Sequence, residues 1–226
     1  APANLTMVEA ASLPLVALTA WQALIETAHL TAGQKVFIQA GSGGVGTVAI
    51  QLAKHLGATV ATTCSAASFD MVRGLGADVV IDYKTQDFES VLSDYDVVLH
   101  SQDTAALKKS LRVLKPGGIL ISISGPPDPA FAEAVGAPRF VGLVLRALSR
   151  GVRRQAKRLG VRYSFLFMRA NGEQLQQITG LIESGVIRPL VDRTFGFEAT
   201  NEALAYVESG RAKGKAVITV KQPPGR

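Results

Sequence analysis

The run from Lys35 to Leu56, KVFIQAGSGGVGTVAIQLAKHL, sets a β-rich stretch, a glycine cluster and an amphipathic stretch in immediate succession. Val45, Val48, Ala49, Leu52, Ala53 and Leu56 recur at three- and four-residue steps, which is one face of a helix. The same alternation continues with strand candidates ATVATT at Ala58, DVVID at Asp78, YDVVLH at Tyr95 and GILISIS at Gly118. Such near-continuous apolar runs suit strands covered on both faces. Alternation of this kind predicts right-handed βαβ crossovers. The expected fold is therefore α/β: a Rossmann-type, doubly wound parallel sheet with helices on both faces.

Gly41, Gly43 and Gly46 match G-x-G-x-x-G in the context that gives the pattern meaning, after a strand and at the start of a helix. Gly41 permits the tight turn, Gly43 lets a pyrophosphate approach the backbone, and Gly46 lets the helix pack close to the strand. The amides of Gly44, Val45 and Gly46 then face the anion, with the helix dipole behind them. Glycines that merely punctuate a βα turn are the blander reading, and the continued alternation outweighs it.

A dinucleotide loop is usually followed, about twenty residues on, by an acid that holds the ribose. Here that place reads VATTCSAAS, Val60 to Ser68, with no acid. Small hydroxyl residues do not repel a 2′-phosphate, so the stretch points to NADP(H) rather than NAD(H). Arg73 lies further along, and Asp70 is read as solvent-facing within the next helix.

At 226 residues and 47% hydrophobic, the chain can bury a large core, and disorder is excluded as its main state. The single cysteine, Cys64, excludes an intrachain disulfide and a multi-cysteine zinc site; it reads as a small buried hydrophobe. His29, His55 and His100 lack metal-ligand spacing. His29 and His55 are expected to cap helices or face solvent. His100, at a strand's carboxyl end, either touches a ligand or makes a structural hydrogen bond. No secretory leader or bilayer-spanning run stands out, so a cytoplasmic protein with no membrane or nucleic-acid partner is the expectation.

Beyond Gly125 the reading is a loop, then one long basic helical region from about Phe131 to Gly160. A strand VRYSFLFM follows, then a helix at 172–184, an extended IRPLVDRTFGF, a helix, a last strand KAVITV and a frayed QPPGR tail. LKPGG at Leu114 is expected to end a helix. Net charge is +6. Arg146, Arg150, Arg153, Arg154 and Lys157 recur at helical steps within a 146–162 stretch that has no acid. Nucleic acid or an anionic membrane suits such a stripe. Without interleaved aromatics the favoured reading is a solvated face, or one paired with acids of another domain.

Taken in order, AGSGGVGTVAIQLAK, LGADVVIDY, LKPGGILISI, GVIRPLVDRTFGF and GRAKGKAVI resemble the medium-chain dehydrogenase/reductases. The branch most similar is the zinc-free, quinone-oxidoreductase-like one, which includes mitochondrial reticulon-interacting relatives. LPLVALTAW resembles the helix leading into that family's cofactor domain. The resemblance implies a lead-in helix from an N-terminal catalytic domain (1–30), a Rossmann core with its basic helical region (31–160), and a C-terminal extension that completes the sheet and closes the cleft (161–226).

It also implies roles. Gly41, Gly43, Gly44, Val45 and Gly46 would hold the pyrophosphate. Ser65 and Tyr83 would meet the 2′-phosphate, with Ser68 where many relatives have lysine. Thr19, Ser124, Gly125 and Phe167 would border the nicotinamide, and Lys215 would stand near the cleft. No catalytic residue and no metal ligand is assigned; a zinc-ligand cysteine of zinc-dependent relatives would fall near Val16. His100 stands where an aspartate usually ends the fourth strand. The implied activity is hydride transfer from NADPH to a quinone or an activated C=C, in a homodimer joined through the 161–168 strand. An enoyl or alkenal reductase, or a non-catalytic dinucleotide-binding scaffold, shares the visible motifs.

Overall fold

In the computed structural model, residues 2–220 are described; the QPPGR tail lies outside them. The lead-in is not one helix. It comprises α1 (Met7–Ser12), α2 (Pro14–Trp21) and a π-helical segment, Gln22–Thr27. Thr6 and Glu9 form a capping box that starts α1. Pro14 suits the first turn of α2 but not the interior of a continuous helix, which explains the break at Leu13.

The chain continues through β1 (Lys35–Ile38), α3 (Gly44–His55), β2 (Thr59–Cys64), α4 (Phe69–Gly74), β3 (Val79–Asp82), β4 (Tyr95–His100), α5 (Thr104–Ser110) and β5 (Leu114–Ser122). Then come α6 (Pro129–Ala134), α7 (Arg139–Leu148), α8 (Arg150–Arg158), β6 (Arg162–Phe165), α9 (Gly172–Glu183), β7 (Val191–Gly196), α10 (Thr200–Glu208) and β8 (Lys215–Thr219). The main sheet has the order β3-β2-β1-β4-β5-β6, and every pairing in it is parallel. That is the expected doubly wound sheet, and its strand order reverses between β1 and β4.

Side-chain alternation along the strands builds two cores. Val36 and Ile38 of β1, Val97 and Leu99 of β4, and Ile119 and Ile121 of β5 pack on one face with α2, α3 and α9. Phe37, Val98 and Leu120 point to the other, against Leu107 of α5 and Ala156 of α8. With both faces covered, no polar alternation remains in these strands.

Several expectations are corrected. LKPGG does not end a helix: α5 stops at Ser110, and the segment is an irregularity inside β5, whose pairing jumps from Tyr95–Leu114 to Val97–Ile119. Proline and glycine serve a bulge here rather than a cap. The basic region is three helices, interrupted at Gly136 (φ +65°) and Pro138 and again at Ser149. VRYSFLFM is a strand only over Arg162–Phe165. Of the C-terminal part, β6 joins the main sheet, whereas β7 and β8 form a separate parallel pair.

Candidate functional site

The crevice outside the carboxyl ends of β1 and β4 is where an open α/β sheet receives ligands. At its floor Ala40 holds φ +51°, fixed by hydrogen bonds from Ala40 N to Thr63 Oγ1 (3.2 Å) and from Gly43 N to Ala40 O (2.9 Å). A Cβ on Gly46 would lie 2.3 Å from Ala40 O, so α3 can pack this close only with glycine there. Gly43 differs. A Cβ there would meet only Ala40 O, at 3.2 Å, a tight contact relieved by a shift of a few tenths of an ångström, so packing demands glycine far less there than at Gly46. What the missing side chain leaves clear is the approach to the first turn of α3. The amides of Gly44, Val45 and Gly46 donate to no acceptor within the described residues. Free amides, the positive end of a twelve-residue helix and a bare Cα fit a diphosphate group.

The loop is held from two sides. Val16 of α2 packs over Gly44, and Gly214 N donates to Ser42 O at 2.9 Å, forming a lone parallel bridge between Gly43 and Gly214. This bridge brings Lys215 to the glycine loop, its Cδ within 2.8 Å of where a Gly44 Cβ would stand. It also brings Lys213, whose ammonium donates to Ala67 O at 2.9 Å. Sequence reasoning missed Lys213, although it stands two residues before the lysine that was singled out.

At the end of β2, Ser65 is half-buried and Tyr83 is 62% exposed, with Tyr83 N donating to Cys64 O at 3.3 Å. Ser65 and Tyr83 are thus brought together. Ser68 is turned inward and buried, which is a poor position for the ligand role expected of it. Burial first, and the nearby Asp82 second, push the Cys64 thiol up to about 11, in keeping with a packed hydrophobe. Asp70 is exposed, as expected.

Across the crevice, Ser124 is exposed and its Oγ donates to Gln102 O at 2.7 Å. Gly125 N donates to Ser122 Oγ at 2.7 Å. Phe167 is 63% exposed, its ring 5.6 Å from that of Phe131 and tilted 57° to it. Thr19 is buried and donates to Leu15 O in its own helix at 2.7 Å. Gln22, also missed, clamps the chain beyond Phe167: Nε2 donates to Arg169 O (2.8 Å) and Oε1 accepts from Arg169 N (3.0 Å). A buried glutamine in the apolar run LVALTAWQAL was the available signal. His100 makes the structural bond. It is fully buried, with Nδ1 2.9 Å from Ser122 Oγ and Nε2 3.1 Å from Asp103 O. His29 and His55 are exposed at helix ends.

A family model described as zinc-binding dehydrogenase matches residues 75–218. The chain belongs to that family. Within it, the chain is 35% identical over 232 residues to "NAD(P)H oxidoreductase RTN4IP1, mitochondrial" of Danio rerio, covering 98% of this chain and 59% of that protein. It is 35% identical over 221 residues to "2-methylene-furan-3-one reductase" of Solanum lycopersicum, covering 96% of this chain and 48% of that one. The quinone oxidoreductase of Coxiella burnetii superposes with a TM-score of 0.82 at 30% identity, over 97% of this chain and 62% of that one. The chain therefore spans about three-fifths or less of the relatives' length. These neighbours belong to the medium-chain superfamily that the motif order resembles. The zinc of the family's description finds no ligand set here: no three His, Cys, Asp or Glu side chains cluster as a metal site among the described residues.

Proposed function

We propose that this chain is the dinucleotide-binding part of an NAD(P)H-dependent reductase whose acceptor is a quinone or an activated C=C. The observation that carries this is the set of unbonded amides at Gly44, Val45 and Gly46, beside the open Gly43, at the β1/β4 switch point. The reductase names of the relatives support the reaction class. Bound there, a dihydronicotinamide supplies the hydride. The chain's own residues bind and orient: Gly41, Gly43, Gly44, Val45 and Gly46 take the diphosphate, while Thr19, Ser124, Gly125 and Phe167 border the reacting end. Lys215 lies over the glycine loop. No side chain here is assigned as an acid or base.

NADPH is the proposed cofactor. No carboxylate lies in the Ser65–Ser68 turn, and the Lys213 ammonium stands at its edge. Ser65, Tyr83 and Lys213 are the proposed 2′-phosphate contacts; Lys213 takes the part expected of position 68, where Ser68 is buried. A homodimer through β6 belongs to the same proposal, because β6 is the outermost strand of the main sheet. So do the division at 1–30, 31–160 and 161–226, the absence of a required metal, and a cytoplasmic location. Among the described residues no helix is long and apolar enough to cross a membrane.

Fluorescence titration with NADPH and NADH, followed by NADPH oxidation against a quinone and enone panel in the full-length protein, tests the reading. Tight NADPH binding with acceptor-dependent oxidation is expected. Binding without oxidation makes the chain a scaffold, and binding of neither cofactor overturns the site.

A further inference from the structure

The helix pair α7–α8 presents a surface that the dinucleotide site does not use. On α7, Phe140, Leu143, Val144 and Leu148 are between 53% and 67% exposed, while Val141 and Leu145 turn toward the protein. The exposed four form one stripe at helical spacing. On α8 the outward residues are Arg150, Arg153, Arg154, Lys157 and Arg158, with Ala156 buried beneath them. Leu143 and Arg146 of α7 join Arg150, Arg153, Arg154 and Lys157 of α8 in lining a single trough of about 710 Å³. None of these cations lies in an ion pair with a carboxylate among the described residues, and 139–162 holds no acid.

An exposed apolar stripe beside an unpaired cationic face is the make-up of a helix that lies in a bilayer interface. We propose that α7–α8 docks the chain onto an anionic membrane surface. Phe140, Leu143, Val144 and Leu148 enter the acyl boundary, and Arg146 and the cations of α8 meet lipid phosphates. Charge complementarity favours this occupant. A second copy set on the same face would oppose like charges, in a chain already carrying a net charge of +6. Nucleic acid accounts for the cations but leaves the apolar stripe in water. This docking is independent of the reductase reading, and it revises two expectations: that no membrane is a partner, and that this face is solvated or paired with acids of another domain.

Co-sedimentation with vesicles of phosphatidylcholine, with and without phosphatidylglycerol, tests it at low and high salt. Partitioning onto the anionic vesicles is expected to exceed that onto the neutral ones by at least roughly tenfold and to fall with salt. Replacing Arg146, Arg150, Arg153 and Arg154 by Gln should weaken it by about fivefold per residue. Phe140→Ser with Leu143→Ser should abolish the binding that survives high salt. Thermal melts check that the variants fold, and the wild-type comparison of the two vesicle types decides the matter if one does not. Equal partitioning onto both vesicle types, or none, overturns the proposal. So does salt-sensitive binding of duplex DNA without vesicle binding, or self-association through this face in a protein that ignores vesicles.

Discussion

Nδ1 of His100 lies 2.9 Å from Oγ of Ser122, and for the neutral imidazole that burial favours the pair has one consistent proton arrangement. The Asp103 carbonyl can only accept, so Nε2 carries the ring proton and Nδ1 accepts from the Ser122 hydroxyl. The lone pairs of Ser122 are then free to accept from the amides of Gly125 (2.7 Å) and Ser124 (3.3 Å). Tyr163 closes the same turn by donating to Pro126 O at 2.7 Å. A neutral histidine thus fixes the loop that follows β5.

Burial holds the His100 imidazole below its ordinary value, ahead of the opposing pull of Asp103. Its contribution to stability is complete above the unfolded value, near pH 6.5, and is lost as pH falls from there toward the lowered folded value. Denaturant melts from pH 7.5 downward should show this loss, and His100→Ala should remove that part of the slope. The substitution itself should cost about 2–4 kcal/mol, from an unsatisfied hydroxyl and a cavity.

Gly43→Ala and Gly46→Ala should behave differently. At Gly46 the new methyl meets Ala40 O at 2.3 Å, so thermal stability should fall by about 1–3 kcal/mol. At Gly43 the methyl meets Ala40 O at 3.2 Å, which need give only a few tenths of an ångström, so the melt should fall by less than at Gly46 while NADPH affinity drops by at least about tenfold. Equal effects on melt and affinity at both sites would contradict the division of labour.

Lys213→Gln should weaken NADPH binding by roughly tenfold or more, the worth of a charge-assisted hydrogen bond, and leave NADH binding unchanged. The ratio of the two dissociation constants is the readout. A parallel loss for both cofactors would place Lys213 elsewhere than at the 2′-phosphate.

Gln22→Leu removes both hydrogen bonds to Arg169, whose backbone N–H and C=O then lose their buried partner. A loss of about 2–3 kcal/mol is expected, with faster amide exchange confined first to residues 166–171. Exchange monitored by mass spectrometry distinguishes this from global loosening.

Cys64 should resist iodoacetamide at neutral pH in the native protein and react only on unfolding. It is buried, and its thiol is held up to about 11.

Local pattern carried the Rossmann core because each strand and helix there announces itself. Val36, Phe37 and Ile38 are apolar in succession because both faces of β1 are covered, and α3 shows its face in Val48, Ala49 and Leu52. The glycine spacing was legible for the same reason: backbone approach and helix packing are sequence-local demands. Tertiary structure alone decided what depends on distant chain meeting distant chain. Lys213 reaches Ala67 only because Gly214 bonds to Ser42, and Gln22 finds Arg169 across 147 positions. No local period records such contacts. His100 could be read from sequence toward a ligand or toward the core; the hydroxyl of Ser122, supplied by the neighbouring strand, turned it inward.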